Sequence, residues 1–139
     1  MALSRRDFVA ALMCSGAGAT IAAEATAAPA QGGDDEKAVY VVAAIEVKPG
    51  KRAEYIEIFK DNVPNVLAED GCGFYVPVVD FDSGIGAQEP IRENVMTVVE
   101  KWASIDALRA HLQAPHMATY REQVKDLVTG LKLYVMQPA

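Results

Sequence analysis

The stretch ENVMTVVEKWASIDALRAHLQAPHMATYREQVKDLV, residues 93–128, decides the fold of this 139-residue chain. Its first part, Glu93–Trp102, is rich in β-branched residues, which is typical of a strand. Ser104 then indicates a helix start, because a serine hydroxyl can accept a hydrogen bond from an orphan amide of the first turn. The stretch therefore predicts one strand and two helices, Ile105–Leu112 and Pro115–Val128, with a stop at Gly130.

The residues before this stretch repeat the same order of elements. Val39–Val47 alternates so that one face is wholly apolar, which predicts a strand. Lys51–Glu69 has apolar residues at spacings of three and four and predicts a helix, which Pro64 should kink or split near residue 60. Gly71 suits the left-handed end of that helix. The remaining predicted elements are a strand at Cys72–Asp82, an irregular loop at Ser83–Ile91 and a last strand at Leu131–Met136. In the second of these strands, Pro77 indicates an edge or a bulge.

Two strand–helix–strand halves in about 100 residues predict an α+β fold. The expected arrangement is ferredoxin-like, βαββαβ, with a four-stranded antiparallel sheet and helices on one face. Apolar strand residues exceed what one helix layer can bury, and a domain of this size is marginal alone. We therefore expect two chains to pack sheet against sheet as a homodimer. The residues that suggest this are Val39, Val41, Ile45, Leu131, Leu133 and Val135.

The N-terminus has the three parts of an export signal. Arg5-Arg6 precedes a weakly apolar segment, and small residues follow at Ala25-Thr26-Ala27 and Ala28-Pro29-Ala30. The paired arginines resemble the twin-arginine export signal. The apolar run is too short and too rich in glycine for a membrane anchor. We expect a signal at residues 1–27, a flexible leader at 28–37, a folded domain at 38–139, and an exported protein, periplasmic or secreted, without a stable membrane anchor.

Composition excludes several classes of function. Residues 1–30 carry two basic and two acidic side chains, so the net charge of −6 belongs to the rest of the chain. Its basic residues are scattered among acids, which argues against a nucleic-acid partner. Cys72 is the lone thiol after the signal, so no internal disulfide is expected. No common nucleotide, haem or metalloprotease motif is present.

His111 and His116 are the two histidines of the chain. They are five residues apart with Pro115 between them, which is not the pair that a helix uses to bind zinc. His111 shares the apolar face of its helix with Leu108. His116 falls in the first turn of the next helix, where the helix dipole disfavours a protonated imidazole. Either one is a candidate proton acceptor, and the sequence leaves the choice between them open.

Four segments resemble the antibiotic biosynthesis monooxygenase (ABM) family, and within it the branch of quinol monooxygenases. The resemblance covers Tyr40 to Met136. The segments are VxPGK at 47–51, GCGFY at 71–75, VEKW at 99–102 and SxDALxAHLxAPHM at 104–117. It implies a ferredoxin-like chain assembled as a dimeric α/β barrel.

The resemblance also implies oxygenation of quinols or other electron-rich phenols without flavin, haem or metal, with molecular oxygen as co-substrate. A deprotonated quinol can pass an electron to oxygen itself, so the protein needs a base, an apolar pocket and a hydrogen-bond donor. The candidate base is His111 or His116, and the candidate donors are Tyr75 and Tyr120. The candidate pocket walls are Phe59, Phe74 and Trp102.

Three other readings of the resemblance differ in chemistry. One is an isomerase-type reaction like that of the autoinducer-2 breakdown enzymes, with the histidines as acid and base and no oxygen. Another is a non-enzymatic dimeric module that binds a small molecule. A haem-degrading branch shares the fold, but its tryptophan and axial histidine positions hold His111 and Arg121 here, and Val41–Ile45 lacks its asparagine.

The signal generates a first prediction. We expect exported material to begin after Ala27 or Ala30, because both follow small-residue exits of the kind that signal peptidase cleaves. N-terminal sequencing of the secreted protein checks this. An intact Met1 on exported material would contradict it.

Overall fold

The computed structural model describes residues 35–139, so the expected signal at 1–27 and the leader up to residue 34 lie outside the described residues. Four strands and three helices follow in the order βαββααβ. They are β1 (Val39–Val47), α1 (Arg52–Leu67), β2 (Cys72–Val78), β3 (Val95–Trp102), α2 (Ile105–Gln113), α3 (Pro115–Val124) and β4 (Val128–Met136). The sheet order is β2-β3-β1-β4 with all neighbours antiparallel. This confirms the ferredoxin-like prediction.

Several element boundaries differ from the prediction. Helix α1 is not split, since it runs through Pro64 to Leu67. Pro64 lies in the last turn, where its missing amide removes a single hydrogen bond. Gly130 does not stop a helix. It lies inside β4 opposite Glu46, because pairing along the whole of β1 overrides its weak local strand propensity. Pro77 does lie in an edge strand, as expected.

The core lies between the helices and one face of the sheet. Odd-numbered residues of β1 and even-numbered residues of β3 point to the helices, so Val41 faces the same side as Glu100 and Val39 the same side as Trp102. The N-cap of α2 is Ser104, whose hydroxyl accepts the Ala107 amide at 3.1 Å, as predicted. The largest fully buried side chains are Trp102, Tyr55, Met96, His111, Val41, Val47, Val66 and Val98.

Leu131, Leu133 and Val135 of β4 face the helix side, not a second sheet. Leu131 lies opposite Ile45 and Leu133 opposite Ala43 in the register. They are 61% and 47% exposed because the helices cover β2, β3 and β1 but do not extend over β4. The expectation that these residues contribute to a sheet-to-sheet interface is therefore wrong, since they border an opening on the helix side.

The other face of the sheet is uncovered and mostly apolar, with Thr97, Lys101 and Lys132 as its polar members. Phe74 lies on it against Tyr40, with ring centroids 6.4 Å apart, and Val76 and Tyr134 are 45% and 55% exposed. We call this surface the open face. Its apolar members are Tyr40, Val42, Ala44, Phe74, Val76, Val78, Val99, Tyr134 and Met136.

The two ends of the long connection between β2 and β3 are held together by an ion pair. Arg92 donates to both carboxylate oxygens of Asp80, at 2.8 Å from Nε and 2.6 Å from Nη2, and its backbone amide donates as well. These bonds lower the pKa of Asp80 to about 2.

Among residues 35–139, none of the helices has the length and hydropathy needed to cross a membrane.

Gly71 generates a stability prediction. Its φ of +82° is left-handed, and an added Cβ would lie 2.8 Å from the Ala107 side chain. Gly50 has a similar φ of +77° with nothing within 4 Å, so it provides the matched control. We expect Gly50→Ala to lower the free energy of unfolding by about 1–2 kcal/mol from backbone strain alone, and Gly71→Ala by roughly 2–4 kcal/mol because overpacking adds to it.

Chemical denaturation of both variants measures the difference. Equal losses would show that α2 moves aside without cost, contrary to the close packing at this contact.

Candidate active site

A cavity of about 410 Å³ lies between the sheet and helices α1, α2 and α3. Its volume is within the range of small-molecule sites. It opens toward the uncovered strand β4, where Leu131 and Leu133 form one wall. Most of its lining is apolar, from Ala43, Ile45, Phe59, Val98, Leu112, Met117, Val124 and Val128. The polar lining is Tyr55, Tyr75, Glu100, His111, Tyr120, Arg121 and Lys125.

His111 is buried at the inner end of this cavity, with 2% of its surface exposed. Its Nδ1 lies 3.0 Å from Oε1 of Glu69. The centroid of its ring lies 4.6 Å from that of Trp102 and 5.5 Å from that of Tyr75. Facing a carboxylate, Nδ1 carries the hydrogen and donates, which leaves Nε2 with a free lone pair in the neutral ring. Burial lowers the pKa of His111, and the hydrogen bond that His111 donates to Glu69 opposes that shift in part. The result is a neutral imidazole with a fixed tautomer.

His116 lies outside the cavity but reaches the same carboxylate. Its Nε2 is 2.7 Å from Oε1 of Glu69, and its Nδ1 is 3.1 Å from the side-chain oxygen of Asn62. It lines a surface groove with Asn65 and is about a quarter exposed. The two histidines therefore meet at one carboxylate oxygen, and of the two only His111 lines the cavity.

Three tyrosines supply hydroxyl groups to the cavity. The hydroxyls of Tyr55 and Tyr120 form a short hydrogen bond. Tyr75 stacks nearly parallel on Phe59, with ring centroids 5.3 Å apart. Burial raises the pKa of Tyr120 to about 12 and raises the pKa of Tyr55 and Tyr75 further. All three are neutral phenols at physiological pH and can donate hydrogen bonds.

Glu100 brings a carboxyl group into the same cavity. It is 5% exposed, and one of its oxygens accepts a hydrogen bond from Nε1 of Trp102 at 2.8 Å. Burial raises the pKa of Glu100, the indole hydrogen bond lowers it in part, and the charge of Glu69 raises it again. Trp102 therefore contacts both ionisable groups at the inner end of the cavity, His111 through its ring and Glu100 through its nitrogen.

The structure brings together some of the residues predicted from the sequence and separates others. Phe59, Tyr75, His111 and Tyr120 line the cavity. Trp102 is wholly buried behind His111 and supports it rather than forming a wall. Phe74 lies on the open face of the sheet, so it does not line this cavity. Successive strand residues point to opposite faces, and Tyr75 already occupies the helix side.

Sequence reasoning missed Glu69, Glu100 and Tyr55. Glu69 was counted as the last residue of a helix, and its contacts with both histidines span 42 and 47 positions, which no local pattern reveals. Glu100 did carry a signal, because it lies on the buried face of β3 two residues before Trp102. A carboxyl on the apolar side of a strand is rare, and this makes the position a candidate for a functional role.

Two cations stand where the cavity opens. Arg121 lies on α3 and Lys125 directly follows it, and Arg121 donates to the carbonyl of Leu112 at 3.0 Å. Within residues 35–139, no group of three or more His, Cys, Asp or Glu side chains is arranged to hold a metal ion.

Comparison with known proteins places this geometry in context. The family model described as "Antibiotic biosynthesis monooxygenase" matches residues 38–123. A protein of Escherichia coli K12 named "Probable quinol monooxygenase YgiN" is 39% identical over 100 residues, which covers 70% of this chain and 95% of that one.

Solved structures share the fold. Rv0793 from Mycobacterium tuberculosis is 26% identical with a TM-score of 0.60, over 73% of this chain and 95% of that one. SnoaB from Streptomyces nogalater, described as a cofactor-independent oxygenase, is 18% identical with a TM-score of 0.59, over 73% and 93%.

Proposed function

The chain belongs to the antibiotic biosynthesis monooxygenase family, and from this premise we propose that it oxygenates a quinol or another electron-rich phenol with molecular oxygen and no further cofactor. The observation that carries the proposal is His111. It is a buried, neutral imidazole in an apolar cavity, oriented by Glu69 and with Nε2 free. The similarity to a protein named as a quinol monooxygenase supports the substrate class.

His111 would act as the general base. Its Nε2 takes the proton from a phenolic hydroxyl, and the phenolate then transfers an electron to oxygen. Glu69 stabilises the imidazolium that forms, because its carboxylate accepts the Nδ1 hydrogen at 3.0 Å. A positioned base contributes typically 10²–10⁴-fold to a rate. SnoaB, by its description, is an example of cofactor-independent oxygenation within this fold.

The cavity walls suit an aromatic ring. The stacked pair of Tyr75 and Phe59 forms one side, and the rest of the lining is chiefly aliphatic. The Tyr55–Tyr120 pair can orient a substrate oxygen, because its linked hydroxyls have one hydrogen left to donate. An apolar enclosure also favours oxygen, a small apolar molecule, over water.

Substitution of the two histidines tests the base. We expect His111→Ala to reduce oxygen consumption with dihydroxybenzenes and dihydroxynaphthalenes by roughly 10²–10⁴-fold. His116→Ala is the matched control, since it contacts the same Glu69 oxygen from outside the cavity. We expect it to change kcat by less than about tenfold.

The pH profile gives a second readout of the base. The neutral imidazole is the active form, and burial lowers the pKa of His111. Activity should therefore persist below pH 6.5 and fall only as pH drops through the lowered value. Turnover without oxygen uptake would favour the isomerase reaction, and thermal stabilisation by ligand without turnover would favour a binding module.

We also propose that two chains pair through the open face of the sheet. A contiguous apolar surface of this extent is unusual on a monomeric protein, and the chain is small for a single core. The proposed dimer places the cavities on the outer, helix-covered sides, so each remains open at its own β4.

Charge substitutions on the open face test this pairing. Val76→Glu introduces a charge at the centre of β2, at a position 45% exposed in the single chain. Leu67→Glu is the control, because Leu67 is 52% exposed at the end of α1 and away from the sheet. We expect light scattering at micromolar concentration to give a dimer for the native protein and for Leu67→Glu, and a monomer for Val76→Glu. A monomeric native protein would refute the pairing.

We further propose that the mature domain acts after export by the twin-arginine route. The support is the N-terminal sequence alone. Membrane quinols are accessible from outside the membrane, so this location is compatible with the proposed substrate class.

A further inference from the structure

Glu100 is a deeply buried carboxyl group to which the proposed reaction has so far assigned no role. It is 5% exposed and lies on the helix side of β3, opposite Tyr75 and Val41. Its hydrogen bond from the indole of Trp102 leaves its other oxygen without a hydrogen-bonded partner among residues 35–139. The side chain lines the cavity, so this oxygen is available to a bound molecule.

We propose that Glu100 is protonated in the resting protein and is the proton donor of the reaction, giving its proton to the peroxide that forms when oxygen adds to the substrate. This role rests on the proposed function and adds a second catalytic residue to the same cavity. The geometry behind it is a carboxyl group inside an apolar enclosure, with a neutral indole as its partner instead of a lysine or arginine.

The surroundings of Glu100 favour the neutral acid. An ionised carboxylate away from water is costly unless a cation or several hydrogen bonds compensate it. The ionisable groups that line the cavity together with Glu100 are Tyr55, Tyr75, His111, Tyr120, Arg121 and Lys125. Glu69 lies outside the cavity, against His111, and its charge raises the pKa of Glu100 by repulsion, in the same direction as burial. No ion pair joins Glu100 to a cation among the described residues.

The same buried environment shifts the pKa values of the acid, Glu100, and the base, His111, in opposite directions. Burial raises the pKa of Glu100 and lowers the pKa of His111, so for each group it favours the neutral form. Such divergence between two groups in one site is how acid and base roles are divided at a common pH. Trp102 holds the pair in place, because its ring packs 4.6 Å from His111 and its nitrogen donates to Glu100.

The proton balance of the reaction closes with these two groups. His111 takes the phenolic proton, the phenolate gives one electron to oxygen, and the resulting superoxide and semiquinone join through a new C–O bond. The O–H bond of Glu100 then breaks as its proton passes to the outer peroxide oxygen, which forms a hydroperoxide.

The ring C–H proton next returns to the Glu100 carboxylate. The C–H electron pair forms a carbonyl as the O–O bond breaks, and the departing hydroxide takes the proton from the His111 imidazolium to become water. A quinol and oxygen thus give a hydroxyquinone and water, with both residues restored.

Glu100→Gln tests this role while keeping size and the indole contact. We expect oxygenated product from the dihydroxynaphthalene panel to fall by about 10²–10⁴-fold, and hydrogen peroxide released per oxygen consumed to rise. Glu100→Asp should recover part of the product yield, because it restores an acid. Glu57→Gln is the matched control, since Glu57 is exposed on α1 and does not line the cavity, and it should behave as the native protein.

A readout without substrate is available because Trp102 is the single tryptophan of the chain. The NMR resonance of its indole N–H should titrate with the carboxyl group that it contacts. We expect a midpoint above the pH of the turnover assay, because Glu100 must carry its proton there, and we expect this titration to be absent in Glu100→Gln. Should that variant fail to fold, Glu100→Asp and the titration of the native protein still decide.

Two results would overturn the role of Glu100 alone. One is native product formation by folded Glu100→Gln, and the other is an indole midpoint below the pH of the turnover assay. An absence of oxygen uptake by the native protein would instead overturn the proposed function, and the role of Glu100 with it.

Discussion

One carboxylate oxygen, Oε1 of Glu69, joins the parts of this domain that form the inner end of the cavity. It lies 3.0 Å from the Nδ1 of His111 on α2 and 2.7 Å from the Nε2 of His116 on α3. A partly buried carboxylate is costly unless donors compensate it, and here the Nδ1 hydrogen of His111 does so. The turn after α1 is thereby fixed to the joint between α2 and α3, and His111 can adopt only the orientation that exposes Nε2.

The close contact around Gly71 follows from the same constraint. The Ala103 amide donates to the Gly71 carbonyl at 2.7 Å, and Gly71 leaves no room for a side chain beside Ala107. Helix α2 therefore sits directly against the start of β2, which places Trp102 and His111 in contact. Helices held at this end cannot also cover β4, and the uncovered strand is what leaves the cavity open to a substrate.

Local sequence patterns predicted the elements, but not the contacts that make the site. Alternation in Val39–Val47 and the cap at Ser104 depend on neighbouring residues, and both predictions are confirmed. The helix-to-strand boundary near Gly130 depends on pairing with β1, more than 80 residues earlier, and was wrong. Glu69 was missed for the same reason. Strict alternation would have shown that Phe74 and Tyr75 cannot both face one cavity, whereas the choice of His111 over His116 needed the three-dimensional structure.

The ion pair between Asp80 and Arg92 determines where the domain can accept an insertion. Three hydrogen bonds close the β2–β3 connection at its base, and none of the residues between them lines the cavity. The entropy of loop closure grows slowly with length, by about 0.6 kcal/mol for each doubling. The segment 81–91, between Asp80 and Arg92, can therefore accept an inserted peptide tag or reporter domain at small cost to folding. A tag at this point would allow the protein to be immobilised with its cavity unobstructed.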